Sequence, residues 1–320
     1  MGKLLLVLTG GTICSFAENH VKSPDTEAAL PLLLKSFEKS GSPYADTEFD
    51  VINLMQELSE NLQLEHLNRM RECLCQVDWD EYDGAILAHG TDTLSFTAAF
   101  LSVTLRGLLK PVCLLSSRQM LGQPGSNGEA NFAAAVAWIK ERHLGGVYVP
   151  YENTNGKLYM HLGEELFGCD AQDDFYSMTM GQGMPAPWKR ILFPNPLTIK
   201  NNVMLIAPYV GLDYSALRLD GKRAVLHGTY HSGTACTKGD NNNLLVFLER
   251  AKEAGVLVFL EMGHEKQGMM DGDIYESTRA LLDAGAIPVY DKTTEMGYMK
   301  LLTACALYET DEEIRQFMEE

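Results

Sequence analysis

The chain opens with an apolar run that stops abruptly at a pair of glycines. Residues Leu4–Leu8 are all aliphatic, and the next four residues are Thr9-Gly10-Gly11-Thr12. A short apolar run bounded by glycine is typical of a strand buried on both faces of a parallel sheet. Open α/β sheets bind ligands beyond the carboxyl ends of such strands. The sequence therefore predicts a buried strand whose end forms one edge of a site, with glycines that admit close approach and threonine hydroxyls at the mouth.

A second stretch has the same order of residue types. The apolar segment Gly84–Ala88 leads into His89-Gly90-Thr91-Asp92-Thr93, and a nearly all-apolar helix is predicted over Thr93–Leu105. Taken alone, Thr91 and Asp92 are typical helix N-caps, and a single Gly-Gly-Thr turn is more often architecture than catalysis. The chain nevertheless carries two strand ends of the kind that supply hydroxyls and outward-pointing backbone N–H groups.

Strands and helices alternate along the rest of the chain. Candidate strands such as Asp50–Leu54 and Pro111–Leu115 are separated by helical segments, and Asn155-Gly156 is a strong hairpin signal. This pattern predicts two α/β domains, the first with a mostly parallel, doubly wound sheet and a terminal hairpin, the second smaller and with a parallel sheet. Because residues 181–202 are rich in proline and asparagine, we expect an N-terminal domain over 1–180, a linker over 181–202 and a C-terminal domain over 203–320.

Two local predictions concern the neighbourhood of the glycine turns. Residues 14–25 are polar and irregular, which predicts a loop that can close over the first turn. Ser59-Glu60-Asn61 is placed to cap the helix that follows, and the apolar face of that helix consists of Leu64, Leu67, Met70 and Leu74.

The composition excludes several functional classes. With 26 Lys and Arg against 43 Asp and Glu, the formal net charge is −17, so a nucleic-acid partner is not expected. The first apolar run is too short for a signal-peptide core or a membrane span, and no membrane partner is expected either. Seven cysteines, odd in number and without a Cys-x-x-Cys pair, favour reduced thiols over disulfides or a zinc cage, as in a cytoplasmic protein.

The two strand ends together carry a family resemblance. Thr9-Gly10-Gly11-Thr12-Ile13 and His89-Gly90-Thr91-Asp92-Thr93 resemble, complete and in order, the two signatures of the bacterial-type L-asparaginase family. Looser similarity spans essentially the whole chain, and its C-terminal part resembles the cytosolic, type I branch. The segments with this looser similarity are Leu58-Ser59-Glu60-Asn61, Gly122–Asn131 and Thr293-Thr294-Glu295 with Lys300-Leu301.

The resemblance implies a cofactor-free hydrolase that forms an acyl-enzyme. Thr12 would attack the side-chain amide of asparagine or glutamine, ammonia would leave, and water would release the acid from the ester. Thr91 would position or activate a nucleophile or water, while Asp92 would help to hold the α-ammonium and α-carboxylate of the substrate. The implied catalytic residues are Thr12, Thr91 and Asp92, and the implied substrate-binding residues are Gly11, Ser59, Glu60 and Gly90.

The resemblance also bears on His227 and His231. Their spacing of four suits a metal on a helix, but Gly228 and Gly233 favour a turn at a strand end, so no metal ligands are predicted. The family has a glycine-rich turn in this region that reaches the active site of a neighbouring subunit. A homodimer or homotetramer with active sites near the subunit interface is therefore expected.

Two departures from the family pattern bear on activity. The family places a tyrosine after the first signature and a lysine after the hairpin, whereas residues 14–43 contain no tyrosine and residues 161–167 no lysine. Losing a partner of the nucleophile commonly costs orders of magnitude in rate. Candidate substitutes are Ser15 or His20 for the tyrosine and His161 or Glu164 for the lysine.

Three alternatives to an active amidohydrolase follow. A catalytically weak or inactive protein that binds an acidic amino acid would keep the pocket without the two missing partners. The amidase subunit of a transfer-RNA-dependent amidotransferase shares both signatures, although such subunits carry an additional N-terminal domain and here the first signature begins at residue 9. A dinucleotide-binding enzyme is disfavoured, because Thr-Gly-Gly-Thr is not Gly-x-Gly-x-x-Gly.

Overall fold

The computed structural model describes residues 2–181, 193, 196–262, 274–290 and 293–319. The chain forms two compact units, Met1–Pro196 and Leu197–Glu320. Most of the predicted linker, residues 182–192 and 194–195, lies outside the described residues.

The first unit is built on a six-stranded sheet. Its strand order is β4-β1-β5-β6-β7-β8, and the strands β2 and β3 form a separate antiparallel ribbon. Neighbours in the sheet are parallel except for β7 and β8, which form an antiparallel hairpin, so the predicted architecture is confirmed. The strands are β1 (Lys3–Gly10), β2 (Ser15–Glu18), β3 (Val21–Pro24), β4 (Phe49–Glu57), β5 (Tyr82–Ala88), β6 (Pro111–Leu115), β7 (Gly146–Glu152) and β8 (Leu158–Leu162).

Helices cover both faces of this sheet: α1 (Thr26–Glu38), α2 (Leu64–Cys75), α3 (Leu94–Thr104) and α4 (Gly128–Arg142). Leu4, Leu6 and Leu8 of β1 share one core cluster with side chains of α1 and α4. Leu5 points to the opposite face, where it borders a groove lined by α2. Each of these leucines is at most 2% exposed, as expected for a strand covered on both sides.

One connection in this sheet has an unusual hand. The chain passes from β1 to β4 in one direction, and then from β4 through β5 and β6 to β7 in the other. The helix α2 lies on the face opposite to α1, whereas α4 lies on the same face as α1. The connection through α2 runs in the opposite direction to β1-α1-β4 and on the opposite face, so these two connections have the same hand. The β6-α4-β7 connection also runs in the opposite direction but lies on the same face as β1-α1-β4. Its hand is therefore opposite to that of β1-α1-β4. Connections between parallel strands nearly always share one hand.

The second unit has a four-stranded parallel sheet with the order β12-β11-β10-β9. Its core is formed by apolar side chains such as Val225, Phe247 and Val258, which are at most 4% exposed. No helix in the described ranges is long and apolar enough to cross a membrane. The elements are β9 (Val203–Ile206), β10 (Ala224–His227), β11 (Leu257–Glu261), β12 (Ile287–Val289), α5 (Leu244–Glu253), α6 (Glu276–Asp283), α7 (Thr294–Leu307) and α8 (Asp311–Glu319).

Two local predictions were wrong. Residues 14–25 are not irregular, because β2 and β3 pair across a turn at Asn19 and His20, which both adopt positive φ. Asn and His are among the residues that tolerate this conformation, so the turn forms without glycine. The segment Ser59-Glu60-Asn61 forms its own short 3₁₀ helix, and the N-cap of α2 is Gln63. A reciprocal capping box between Gln63 and His66 satisfies the start of α2 in place of the serine.

Candidate active site

The two signatures meet at the carboxyl edge of the first sheet. The strand β1 lies between β4 and β5, and the chain runs from β1 to one neighbour before it returns to the other. This reversal is a topological switch point, the place where open α/β sheets leave a crevice for ligands. Residues 9–12 form the carboxyl end of β1 and the turn after it, and residues 89–93 follow β5, so both lie at this crevice.

Gly11 and Gly90 bring the two turns into direct backbone contact. A Cβ atom on Gly11 would lie 2.2 Å from the Gly90 nitrogen, and a Cβ atom on Gly90 would lie 2.4 Å from the Ser59 hydroxyl. Gly11 also has a φ of +77°, and its N–H donates to the Glu57 carbonyl at 3.0 Å. Only a residue without a side chain fits here. The contact places Thr12, the residue after Gly11, beside the second signature.

Ser59 links the segment after β4 to the second signature. Its hydroxyl donates to Asp92 Oδ2 at 3.2 Å and accepts the Asp92 N–H at 3.2 Å. Ser59 is buried, whereas Asp92 is exposed and forms no ion pair with any described residue. The N-cap of α3 is Thr93, without a side-chain capping bond, so Asp92 is not a helix cap. The Asp92 carboxylate is therefore available to an ammonium group.

Thr12 and Thr91 present free hydroxyls. Both residues are half-buried, and neither hydroxyl is hydrogen-bonded within the part of the chain that the structure describes. The backbone N–H groups of Gly90 and Thr91 also donate to no described residue. Glu60 is exposed and likewise unbonded among the described residues. The crevice thus combines nucleophile candidates, unpaired backbone donors and a carboxylate, the groups that acyl transfer on an amide requires.

His89 supports the second turn from the interior. It is fully buried, with Nδ1 donating to the Gly90 carbonyl at 2.7 Å and Nε2 accepting from the Thr97 hydroxyl at 2.9 Å. Burial lowers the pKa of His89 to about 4, so the ring is neutral at pH 7. The sequence alone predicts no role for His89. The recurrence of His-Gly-Thr at 227–229 is the signal that could have found it.

A folded-back segment, residues 166–177, borders the same edge of the sheet. Asp174 fixes it to the end of β7 by accepting the N–H and the hydroxyl of Thr154 at 2.6 and 2.7 Å, and Arg118 lies 3.8 Å from the same carboxylate. Burial, together with the carboxylates of this segment and of Asp92, raises the pKa of Cys169 to about 12. The segment therefore places a protonated thiol, and not a lysine, within electrostatic reach of Asp92.

The four residues considered as substitutes for the missing tyrosine and lysine have different environments. Ser15 is buried and donates to the Gly11 carbonyl at 2.7 Å, so it braces the first turn. His20 is exposed at the tip of the ribbon, His161 is buried with Nδ1 2.9 Å from the Ser177 hydroxyl, and Glu164 is half-buried. Since the Thr12 and Thr91 hydroxyls have no partner in the described ranges, none of the four is hydrogen-bonded to either hydroxyl.

His227 and His231 do not form a metal pair. Both ring nitrogens of buried His227 are occupied, Nε2 by the Tyr214 hydroxyl at 2.8 Å and Nδ1 by the Gly228 carbonyl, while His231 is exposed. Among the described residues, no group of three or more His, Cys, Asp or Glu side chains is placed to hold a metal ion.

An open α/β sheet with hydroxyl-bearing glycine turns at its switch point is the site architecture of one family of amidohydrolases. Residues 3–179 match the family profile described as Asparaginase, N-terminal. The chain belongs to the asparaginase family.

Comparison with individual relatives agrees with this membership. The chain is 29% identical over 328 residues to an L-asparaginase of Thermococcus kodakarensis, covering 99% of this chain and 97% of that protein. It is 26% identical over 339 residues to a Glutamyl-tRNA(Gln) amidotransferase subunit of Saccharolobus solfataricus, covering 99% of this chain and 74% of that protein.

Solved structures show the same fold. The thermostable L-asparaginase from Thermococcus kodakarensis matches with a TM-score of 0.76 at 25% identity, covering 99% of this chain and 97% of that one. L-asparaginase I from Vibrio cholerae matches with a TM-score of 0.75 at 23% identity, covering 100% and 97%. The predicted α/β fold and the predicted resemblance, to a divergent member of this family, are confirmed.

Proposed function

We propose that this chain hydrolyses the side-chain amide of asparagine or glutamine through an ester to Thr12. The observation that carries the proposal is the convergence at one switch point of the Thr12 turn, the Asp92 carboxylate and the unpaired N–H groups of Gly90 and Thr91. Family membership and full-length similarity to an L-asparaginase support the same chemistry.

The proposed reaction has two stages. The Thr12 Oγ attacks the amide carbon, the C–N bond breaks, and the hydroxyl proton passes to the leaving nitrogen, which departs as ammonia. Water then attacks the ester carbon and the ester C–O bond breaks; one proton of the water returns to Thr12 Oγ, and the other is released when the side-chain acid ionises to the carboxylate. In this scheme Thr91 positions the attacking hydroxyl or water, and the backbone N–H groups stabilise the negative charge on the amide oxygen.

Binding of the amino-acid part of the substrate is assigned to the groups around Ser59. The exposed Asp92 carboxylate would pair with the α-ammonium, and Ser59 and Glu60 would complete the contacts to the zwitterion. Gly11 and Gly90 let the two turns approach each other closely, and their backbone would contact the substrate. Asparagine and glutamine differ by one methylene, which is typically worth only about 1–3 kcal/mol in discrimination.

We also propose a homodimer or homotetramer in a reducing, cytoplasmic environment. All seven cysteines are free thiols, which suits that compartment. The absence of a described bonding partner for the Thr12 hydroxyl supports a slow enzyme, because unassisted threonine is a weak nucleophile.

Ammonia release from millimolar asparagine and glutamine tests the proposal. Thr12→Ala is expected to lower kcat by at least about a thousandfold, since the nucleophile is removed. Thr12→Ser, the matched control, keeps the hydroxyl and is expected to retain measurable turnover. If the wild type releases no more ammonia than Thr12→Ala, the amidohydrolase proposal is wrong.

Experiments on the same protein preparation test two other functions, a silent amino-acid-binding protein and an amidotransferase subunit. Calorimetric binding of aspartate or asparagine without ammonia release would support a silent amino-acid-binding protein. The relatives that are amidotransferase subunits favour a role in supplying ammonia to a transfer-RNA-linked acceptor. The net charge of −17 opposes direct contact with nucleic acid, and a gel-shift titration with transfer RNA at physiological salt would detect it.

A further inference from the structure

The bonds of His89 converge on the turn that carries Thr91. The His89 N–H donates to the Leu115 carbonyl at 2.8 Å, which fixes its backbone to the end of β6. Its ring accepts from Thr97 on α3 and donates to the Gly90 carbonyl. A sheet strand and a helix therefore determine where the ring lies, and the ring in turn holds Gly90.

The Gly90 carbonyl and the Thr91 N–H belong to the same peptide unit. Because this unit is planar and trans, its oxygen and its N–H point in opposite directions. A carbonyl held towards the buried His89 ring turns the Thr91 N–H away from the interior. That N–H donates to no residue in the described ranges, so it is left available to a ligand.

The protonation state of the ring follows from its partners. A carbonyl oxygen only accepts, so Nδ1 carries a proton, and in the neutral ring Nε2 must then accept from the Thr97 hydroxyl. Full burial disfavours a second proton on the ring. One tautomer is thereby selected, and it is the one that can hold the Gly90 carbonyl.

We infer that His89 is a positioning residue, which aims the Thr91 N–H at the amide oxygen of the substrate by holding the Gly90 carbonyl. This inference rests on the proposed amidohydrolase function of the same site. A preorganised donor stabilises the developing charge, and the loss of one such donor commonly lowers kcat by about 10²–10³-fold.

Substitution of His89 by Asn or by Gln distinguishes a positioning role from a purely structural one, because each amide retains a polar group near only one of the two ring nitrogens. His89→Asn keeps an N–H near the position of Nδ1, whereas His89→Gln keeps a polar group near Nε2 and leaves the Gly90 carbonyl unheld. We expect kcat to fall about 100-fold in His89→Gln and less than about 10-fold in His89→Asn, with KM little changed in either. A purely structural role would lower both equally.

His227 provides the matched control. It makes the same two kinds of bond, to the Gly228 carbonyl and the Tyr214 hydroxyl, at the end of β10. His227→Gln and His227→Asn are expected to lose stability, and the Gly90–Thr91 peptide is expected to keep its orientation in crystal structures of both variants. Rotation of this peptide in a His227 variant would overturn the inference, because the peptide would then respond to general destabilisation and not to His89.

Crystal structures of the His89 variants give a readout that needs no turnover. The Gly90–Thr91 peptide is expected to keep its orientation in His89→Asn and to rotate in His89→Gln, and an unrotated peptide in His89→Gln refutes the positioning role. If His89→Gln does not fold, Thr97→Val replaces it in the test. This variant removes only the hydroxyl that donates to His89 Nε2, and it must lower kcat. If the wild type does not exceed Thr12→Ala, the amidohydrolase proposal fails, and peptide orientation alone decides the role of His89.

Discussion

Acidification from pH 7 to pH 5 is expected to destabilise the first unit strongly, because two of its histidines are buried without charge. His89 and His161 are both 0% exposed. Burial lowers the pKa of each to about 4. In the unfolded chain a histidine has a pKa of about 6.5. Between pH 6.5 and about pH 4 the unfolded state therefore binds protons that the folded state does not bind.

The size of the effect follows from this difference in proton uptake. Stability is fully present above the unfolded pKa and falls as the pH drops from about 6.5 towards 4. Between pH 7 and pH 5 each histidine removes about 2 kcal/mol, so the first unit loses about 4 kcal/mol. Ordinary carboxyl groups titrate near pH 4 and contribute little in this window.

Urea unfolding at pH 7, 6 and 5, followed by tryptophan fluorescence, measures this loss. Trp79, Trp138 and Trp188 all fall in residues 1–196, so the signal reports on the first unit. His161→Leu removes one of the two histidines and should halve the difference between pH 7 and pH 5, to about 2 kcal/mol. Phe175→Leu is the control, because it removes packing around Tyr151 and keeps both histidines.

Two outcomes would refute this reasoning. One is a pH-dependent loss in His161→Leu that equals that of the wild type, since the loss would then have another source. The other is a halved loss in Phe175→Leu, since the effect would then track general destabilisation and not titration.

Two further substitutions probe the architecture around the site. Gly11→Ala combines positive φ with a Cβ 2.2 Å from the Gly90 nitrogen, whereas Gly41→Ala has a φ of +71° and no atom within 4 Å. Thermal denaturation should show a loss of about 1 kcal/mol in Gly41→Ala and several times more in Gly11→Ala; equal losses would contradict the contact. Asp174→Asn should cost about 1–3 kcal/mol in urea unfolding, because it leaves Arg118 without its charged partner, and an unchanged midpoint would show that this bond network is dispensable.

Much of the first unit could be predicted from sequence because its strands are short, apolar and sharply bounded. Pro111–Leu115 was predicted to the residue, since it is entirely buried and is bounded by Lys110 and Ser116. The N-cap of α2 was harder to predict from the sequence. Gln63 and His66 satisfy the start of α2, and neither is a preferred capping residue at its position. The hand of the β6-α4-β7 connection could not be predicted, since the apolar pattern of α4 is compatible with either face of the sheet.

Most residues of the candidate site could be predicted from the sequence, but the hydrogen bonds between them could not. The signature motifs identified Thr12 and Asp92 as candidates, and Ser59 was found by resemblance. The bond between Ser59 and Asp92 joins segments from two different strands, and nothing local in either segment specifies it. The support from His89 was missed because its partner Thr97 lies eight residues further along the chain, in the first turn of α3, where nothing local marks its hydroxyl as a partner of the ring.

The backbone contact between Gly11 and Gly90 sets a constraint on how the two signatures can change during evolution. A Cβ atom on Gly11 would meet the main chain of His89 and Gly90, and a Cβ atom on Gly90 would meet the Ser59 side chain. A side chain at position 11 therefore cannot be accommodated by a side-chain change nearby, because the neighbour that must yield is main chain, whereas a side chain at position 90 also displaces Ser59, whose hydroxyl contacts Asp92. The two motifs, far apart in sequence, are expected to be kept or lost together, even in descendants of this protein that acquire a different substrate.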